Sequence, residues 1–396
     1  MSKDQEKNNF PLENTDKPTE NIEVTDASVG KDTVTDEKKM RIPLFSKILL
    51  SIAAVCAVLY ILFLNIPSLS DFFNRHISPF VRGALSYLTT WIPFSLAEML
   101  IILLPVIIVV IVGIGIKKYS SSWRNVGVCC VVILSIASYI FSTYTLGFVP
   151  AYHGSTLDKK MELKKEKVTV EELYDTAVLL AEKVNEESKS IVFNGAGSSV
   201  MPYGYGELNS KLMEAYDKAC EKYDFISPLH SNIKEIILSE PMTYTHISGV
   251  YTFFTGEANL NVNYPDYVLP YTAAHEFAHQ RGIAREDEAN FVAFLVCARA
   301  DSAYVRYSGY LNMLEYVASA LYKTDKKLYR ELVLSYDSRI KGEINALNEF
   351  YHANRNETLG KLSDTVNDNY LKAQGTEGVV SYGLVVKLCV AYYSNK

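Results

Sequence analysis

Three long apolar runs dominate the first 150 residues of this 396-residue chain. They extend over about 48–66, 97–116 and 126–148, and each is about as long as a helix that crosses the hydrocarbon layer of a membrane. In lipid, a single segment satisfies its backbone polar groups by forming a helix. The runs therefore predict three transmembrane helices rather than three buried core helices in succession.

The sequence around these runs divides the N-terminal part further. Residues 1–41 are polar, rich in Asp, Glu, Lys, Asn and Thr, and lack apolar periodicity, which predicts a disordered tail. The first apolar run begins too late for a signal peptide. Residues 42–150 then form a membrane domain, within which the aromatic-rich link 67–96 is predicted to rest on the membrane surface.

Lys and Arg near the ends of the runs predict the orientation, because short cytoplasmic segments carry an excess of them. They are Lys38, Lys39, Arg41 and Lys47 before the first run, and Lys117, Lys118 and Arg124 between the second and third. This places the N-terminus in the cytoplasm and the C-terminal domain outside the cell. Lysines within 159–167 oppose that orientation, but acidic residues are interleaved with them and large domains translocate largely regardless of charge.

Residues 151–396 predict an extracytoplasmic α+β domain that is rich in helix and contains a small sheet. Apolar spacing and turn residues define the elements. Helices are predicted over 168–188, 208–223, 271–281, 286–302, 307–322, 326–354 and 379–393, and strands over 233–238, 249–254 and 256–262. In the last strand, Glu257, Asn259 and Asn261 alternate with apolar residues.

The segment TAAHEFAHQRGIAREDEAN contains an HExxH motif formed by His275, Glu276 and His279. Residues four apart lie on the same face of a helix, so the two imidazoles can bind one Zn²⁺. Glu276 can then lie beside the metal without binding it, where a general base for an activated water is needed. The motif lies inside a predicted helix, so we interpret it as a zinc site rather than a chance match.

A catalytic zinc site needs a third protein ligand and one open position. Gly282 is suited to end the motif helix, and the next helix can begin near Glu286. Glu286 is the predicted third ligand, with Asp287 and Glu288 as alternatives. Glu286 shares a helix face with Asn290 and Glu288 does not, so Asn290 is a candidate hydrogen-bond partner of a ligating group.

The residues 248–291 resemble the core of a bacterial membrane-protein family, domain of unknown function 3810, whose members have a few N-terminal spans and the run HQxGxxxEDEANF. That family resembles the zincin metallopeptidases, and the likeness covers most of the chain from the first span onward. EDEAN is similar to the ExxAN motif of gluzincins, which implies Glu286 as third zinc ligand and Asn290 at the Asp/Asn position. The link between the motifs is shorter than in most gluzincins. The chain also resembles the metzincin pattern as far as Gly282, but Arg285 stands in place of the third His.

Zincins usually have an edge strand before the HExxH helix, to which an extended substrate adds by backbone pairing. The resemblance therefore implies that 255–263, with Glu257, Asn259 and Asn261, contacts substrate, although an ordinary strand also fits. A transition-state donor should polarise the substrate carbonyl. Many tyrosines are available, and the sequence does not choose among them.

These features predict a multi-pass membrane protein with an extracytoplasmic zinc metallopeptidase domain, whose partners are the bilayer and peptides or proteins at the cell surface. The alternatives are a non-catalytic, zinc-stabilised sensor or scaffold and a metal-free structural ectodomain. A net charge of -6 without a long basic run argues against a nucleic-acid partner. Six cysteines are too few for a disulfide scaffold.

Overall fold

The computed structural model describes residues 41–119, 123–163, 168–374 and 383–394, so the predicted tail lies almost wholly outside the described residues. The fold is mostly helical. The first ten helices are α1 (Leu44–Asn65), α2 (Pro67–His76), α3 (Ser78–Thr90), α4 (Leu96–Tyr119), α5 (Trp123–Gly147), α6 (Val149–His153), α7 (Leu157–Lys160), α8 (Val170–Ser188), α9 (Tyr205–Lys222) and α10 (Ser239–Thr243). The other helices are α11 (Val268–Gln280), α12 (Glu286–Cys297), α13 (Ala303–Thr324), α14 (Lys326–Leu334), α15 (Ser338–Ala353), α16 (Glu357–Ala373) and α17 (Leu384–Ser394). The strands are β1 (Lys234–Glu235), β2 (Gly249–Thr252) and β3 (Glu257–Leu260).

Three helices are long and apolar enough to cross a membrane, as the sequence predicts. They span Leu44–Asn65, Leu96–Lys117 and Trp123–His153, and the third joins α5 to α6. Helices α1 and α4 both contact α5. The apolar side chains of α4 are largely exposed to the surroundings, which suits a helix surrounded by lipid.

The link between the first two spans is packed into the rest of the molecule. Helix α3 buries Arg82 and Thr89 against the rest of the molecule. An Nη of Arg82 donates to the carbonyl oxygen of Gly147 at 2.7 Å, and the Thr89 hydroxyl donates to that of Thr255 at 3.3 Å. The link therefore joins the third span to the C-terminal domain. Its opposite side exposes large apolar residues, among them Phe80 and Trp91.

The core of the C-terminal domain forms around α13, which packs along α8 and also contacts α11 and α12. Helix α8 begins with a capping box, in which Thr169 and Glu172 each accept a hydrogen bond from the other's backbone N–H. Helix α11 lies between the sheet and α12. Phe277 of α11 and Phe291 of α12 are fully buried, which fixes both helices in the interior.

The sheet has the order β1-β3-β2, with β3 parallel to β1 and antiparallel to β2. The predicted edge position of 255–263 is therefore wrong, because β3 is the central strand, paired with β2 along its whole length and with β1 at Asn259 and Leu260. All four residues of β3 are buried, so the expected polar face does not meet solvent. The edge strand next to α11 is β2.

Several predicted helix boundaries differ from the structure. The single helix expected over 326–354 is two helices, because the chain turns at 335–337 and Asp337 caps α15 by accepting from the backbone N–H of Arg339. The helix expected over 286–302 ends at Cys297. Helix α16 was not predicted. Residues 379–382 of the last predicted helix lie outside the described residues.

Candidate metal centre

A helix–turn–helix unit brings the candidate ligands together. Helix α11 ends at Gln280, and Gly282 follows with a φ of +88°, which favours glycine. The N–H of Gly282 donates to the His279 carbonyl at 3.0 Å, and that of Ile283 donates to the Ala278 carbonyl at 3.1 Å. These two bonds form a Schellman motif, which reverses the chain. Glu286 then occupies the first position of α12, opposite the last two turns of α11.

His275, His279 and Glu286 converge on one point. Nε2 of His275 lies 3.2 Å from Oε2 of Glu286, and Nε2 of His279 lies 3.5 Å from Oε1. One ligand atom from each residue lies within 4.8 Å of the other two. Zinc at its usual bond lengths of about 2.0–2.2 Å separates tetrahedral ligand atoms by about 3.4 Å. The spacing and the donor types therefore fit a zinc ion with three protein ligands.

The ring orientation of His279 suits metal binding. Its Nδ1 donates to the carbonyl oxygen of Ile283 at 2.8 Å, which directs Nε2 at the cluster. Burial disfavours the charged imidazole, but the Glu286 carboxylate overcomes this and raises the pKa of His279 to about 9. Burial likewise opposes the charged form of Glu286, yet His279 and His275 hold its pKa well below the ordinary range. The metal-free cluster thus retains a proton that zinc would displace.

Glu276 lies beside the cluster in a closely packed niche. It is buried, with 4% of its surface exposed, and burial raises its pKa while the two imidazoles act in the opposite direction. The backbone N–H of Tyr251 in β2 donates to its carboxylate. A Cβ atom on Gly249 would lie 2.7 Å from Oε1 of Glu276, so only glycine fits there. The edge strand and the predicted general base are in direct contact.

The other predicted site residues lie elsewhere. Glu288 accepts from the backbone N–H of Leu157 at 2.8 Å and is not part of the cluster. Asn290 does not bond Glu286. Its carbonyl oxygen accepts from Tyr271, and its Nδ2 has no hydrogen-bond partner among the described residues.

The polar residues of β3, together with Asn261 just after it, serve the fold. Glu257 accepts from the backbone N–H groups of Leu96 and Ala97 at the start of α4. Asn259 donates to the Val250 carbonyl at 3.0 Å, and Asn261 donates to that of Ile247 at 3.0 Å. None of the three belongs to the cluster of potential metal ligands.

Aromatic residues from the third span and α16 also border the centre. The ring of Phe148 lies 6.0 Å from that of His279, centroid to centroid, and the Tyr152 hydroxyl donates to that of Tyr370 at 3.3 Å. Burial raises the pKa of Tyr370 against the opposing hydrogen bonds from Tyr152 and Tyr144, and the Glu286 carboxylate adds to the rise, so this phenol keeps its proton. No spacing rule links residues so distant in sequence, although the helical spacing of apolar residues in 357–373 was available as a sign of α16.

The fold and this centre define a mostly helical protein with three potential membrane spans and a two-His, one-Glu cluster beside a buried glutamate. The family model described as "Protein of unknown function (DUF3810)" matches residues 73–390. The chain therefore belongs to that family, as its resemblance predicts. No curated protein matches the chain, and no solved structure does.

Proposed function

We propose that the protein is a zinc-dependent peptidase of the membrane, with Zn²⁺ bound by His275, His279 and Glu286. The observation that carries this proposal is the convergence of the three ligand atoms beside the buried Glu276. A purely structural zinc site is closed by four protein ligands and has no need of a base. The described residues offer three potential ligands and a carboxylate next to them, which favours a catalytic site.

The described residues suggest how peptide hydrolysis would proceed. Bound zinc would polarise water and the substrate carbonyl. Glu276 takes a proton from the attacking water and then delivers it to the leaving amine nitrogen, and its buried position beside the cluster suits that role. The Tyr370 hydroxyl is the proposed donor to the carbonyl oxygen.

The edge strand β2, whose outer side pairs with no other strand among the described residues, is the proposed substrate-binding strand. An extended peptide that pairs with β2 would run past Glu276, because Gly249 and Tyr251 of that strand contact it. This assignment replaces β3, which is the central strand of the sheet.

The orientation of the protein follows from charge. Basic clusters before the first span and between the second and third favour a cytoplasmic N-terminus. With three crossings, the zinc-binding domain then lies outside the cell, and its substrates are extracytoplasmic peptides or proteins.

The test uses the full-length protein in detergent, with zinc measured by mass spectrometry and cleavage measured on a peptide library. We expect about one zinc per chain, retained by Glu276→Gln with cleavage reduced at least about a hundredfold. Glu286→Gln should lose most of its zinc. The matched change Glu288→Gln should keep it, because Glu288 lies outside the cluster.

Two results would overturn the proposal. A folded wild-type protein that takes up no zinc would remove the metal centre. Undiminished cleavage by Glu276→Gln would remove the general base. Zinc binding without cleavage of any peptide would instead favour a zinc-stabilised sensor or scaffold.

A further inference from the structure

The candidate metal centre lies at the level where the third span leaves the membrane. About twenty residues of helix cross the hydrocarbon layer, so a crossing that begins near Val126 ends near Thr145. Phe148, three residues further, has its ring against His279. Tyr152, one turn later, bonds Tyr370 beside Glu286. The cluster is thus separated from the end of the span by about one layer of side chains.

The turn between β2 and β3 contacts the third span directly. The Tyr139 hydroxyl donates to the Phe254 carbonyl at 2.8 Å, and the rings of Tyr144 and Phe253 lie 4.9 Å apart. Tyr139 lies about six residues, or about 9 Å of helix, inside the estimated end of the third crossing. Glu257 caps the start of the second span. Two spans therefore hold the proposed substrate strand at the membrane boundary.

Helix α16 presents three different sides. One side faces the domain through Gly360 and Leu371, which are buried. A second side is polar and exposed, with residues such as Lys361 and Thr365. The third side is apolar and exposed, and its residues recur at helical spacing. They are Leu359, Leu362, Val366 and Tyr370, which are 39%, 59%, 61% and 37% exposed.

Lipid is the occupant that best fits this apolar side. The last turn of α16 is attached to the third span, because the hydroxyls of Tyr152 and Tyr370 bond each other and the Tyr144 hydroxyl donates to Gln374. The apolar side is thus continuous with a surface that lies at the end of a membrane-spanning helix. An amphipathic helix in this position is stabilised when its apolar side enters the lipid interface.

We infer that the substrate is a polypeptide anchored in the same membrane, cut within about five residues of the point where it emerges, and that α16 lies on the lipid surface beside the entrance. This inference rests on the proposed peptidase activity. An extended chain advances about 3.3 Å per residue, so a few residues beyond the bilayer suffice to reach β2. Anchoring both partners in one bilayer also raises the effective concentration of the substrate at β2.

The test compares tethered and free substrates. Full-length, zinc-loaded protein is reconstituted in phospholipid vesicles with peptides of randomised sequence, either fused to a polyleucine transmembrane helix or dissolved in water at equal total amount. We expect the tethered peptides to be cleaved at least about tenfold faster, at bonds within about five residues of the helix. Equal rates would overturn the inference and leave the peptidase proposal intact. Failure to cleave either set would overturn both.

A variant pair tests the role of α16 separately. Leu362→Asp with Val366→Asp places charge on the apolar side, whereas Thr365→Asp places it on the polar side. Both variants should keep zinc, because neither change touches the cluster. Only the first should slow cleavage of tethered peptides, by about tenfold. Equal rates for the two variants would overturn the lipid contact of α16.

Discussion

Gly249 packs directly against Glu276, the predicted base, and leaves no room for a side chain of its own. A Cβ atom there would lie 2.7 Å from Oε1 of Glu276 and 2.8 Å from Cγ2 of Thr272. Gly249→Ala must therefore displace the carboxylate by a sizeable fraction of an ångström. We expect cleavage to fall by about a hundredfold with zinc retained. The control is Gly206→Ala, where the added methyl group meets nothing within 4 Å.

Peptidase assays and zinc analysis of Gly249→Ala and Gly206→Ala test this prediction. If Gly249→Ala cleaved peptides like the wild type, Glu276 would be free to move and its close packing would have no catalytic importance. If it lost zinc as well, the methyl group would be disturbing α11 as a whole. The Gly206→Ala variant should match the wild type in both assays, because it adds a methyl group in open space near the start of α9.

Some of the candidate site could be predicted from the sequence because it is local. His275 and His279 share a helix face by their spacing alone, and one glycine turn brings Glu286 back to them. Gly249 and Tyr370 could not be predicted in this way. Their positions near the centre depend on sheet pairing and on the contact of α16 with the third span, which no short spacing encodes.

At the scale of elements, the start of α4 depends on a residue of the sheet. The backbone N–H groups of Leu96 and Ala97 donate to Glu257 at 3.1 and 2.9 Å, and Glu257 is 1% exposed. Glu257→Ala leaves these buried donors without an acceptor, which costs about 2 kcal/mol. We expect the melting temperature in detergent to fall by about 2–3 °C. Glu235→Ala, on the exposed end of β1, should leave it unchanged.

Scanning fluorimetry of the three proteins checks this prediction. Equal melting temperatures for Glu257→Ala and the wild type would show that water replaces the carboxylate at no cost and that the sheet does not stabilise the second span. The melting temperature of Glu257→Gln should lie between those of Glu257→Ala and the wild type. Its amide oxygen still accepts a hydrogen bond, but it lacks the negative charge that a helix start favours.

Elements differ in how well the sequence predicts them. The three spans and α8 were predicted because their length, apolar content or capping residues are sufficient in themselves. The central position of β3 was not predictable, since strand order depends on which segments pair in three dimensions. The break between α14 and α15 is also hard to predict from the sequence, because residues 335–337 contain neither Gly nor Pro.

At the scale of the whole molecule, the described membrane segments and the C-terminal domain belong to one compact unit. The predicted boundary at 150 falls inside α6. Nδ2 of Asn74 in α2 donates to the carbonyl oxygen of Gly282 at 3.0 Å, which is the turn between the two ligand-bearing helices. A fragment that begins at residue 150 would lose this support, which is why the experiments above use the full chain.

The interior of the domain also carries carboxylates that make its stability depend on pH. Burial raises the pKa of Glu315 on α13 to about 7, against the opposing hydrogen bond from Tyr267 at 2.7 Å. Its ordinary pKa is 4.5, so between these values the folded protein holds a proton that the unfolded chain releases. The contribution of Glu315 to the free energy of unfolding is therefore largest below about pH 4.5. It decreases as the pH rises to about 7.

We expect the free energy of unfolding to be about 2 kcal/mol lower at pH 8 than at pH 5, a value reduced for the partial exposure of Glu315. Glu315→Gln mimics the neutral carboxyl group, so it should raise the melting temperature at pH 8 and reduce the dependence on pH. Part of the dependence should remain, because burial also raises the pKa of Glu343. Glu331→Gln, an exposed change on α14, should keep the wild-type profile. Identical profiles for Glu315→Gln and the wild type would show that Glu315 is ionised in the folded protein, and that the core around α13 tolerates its charge.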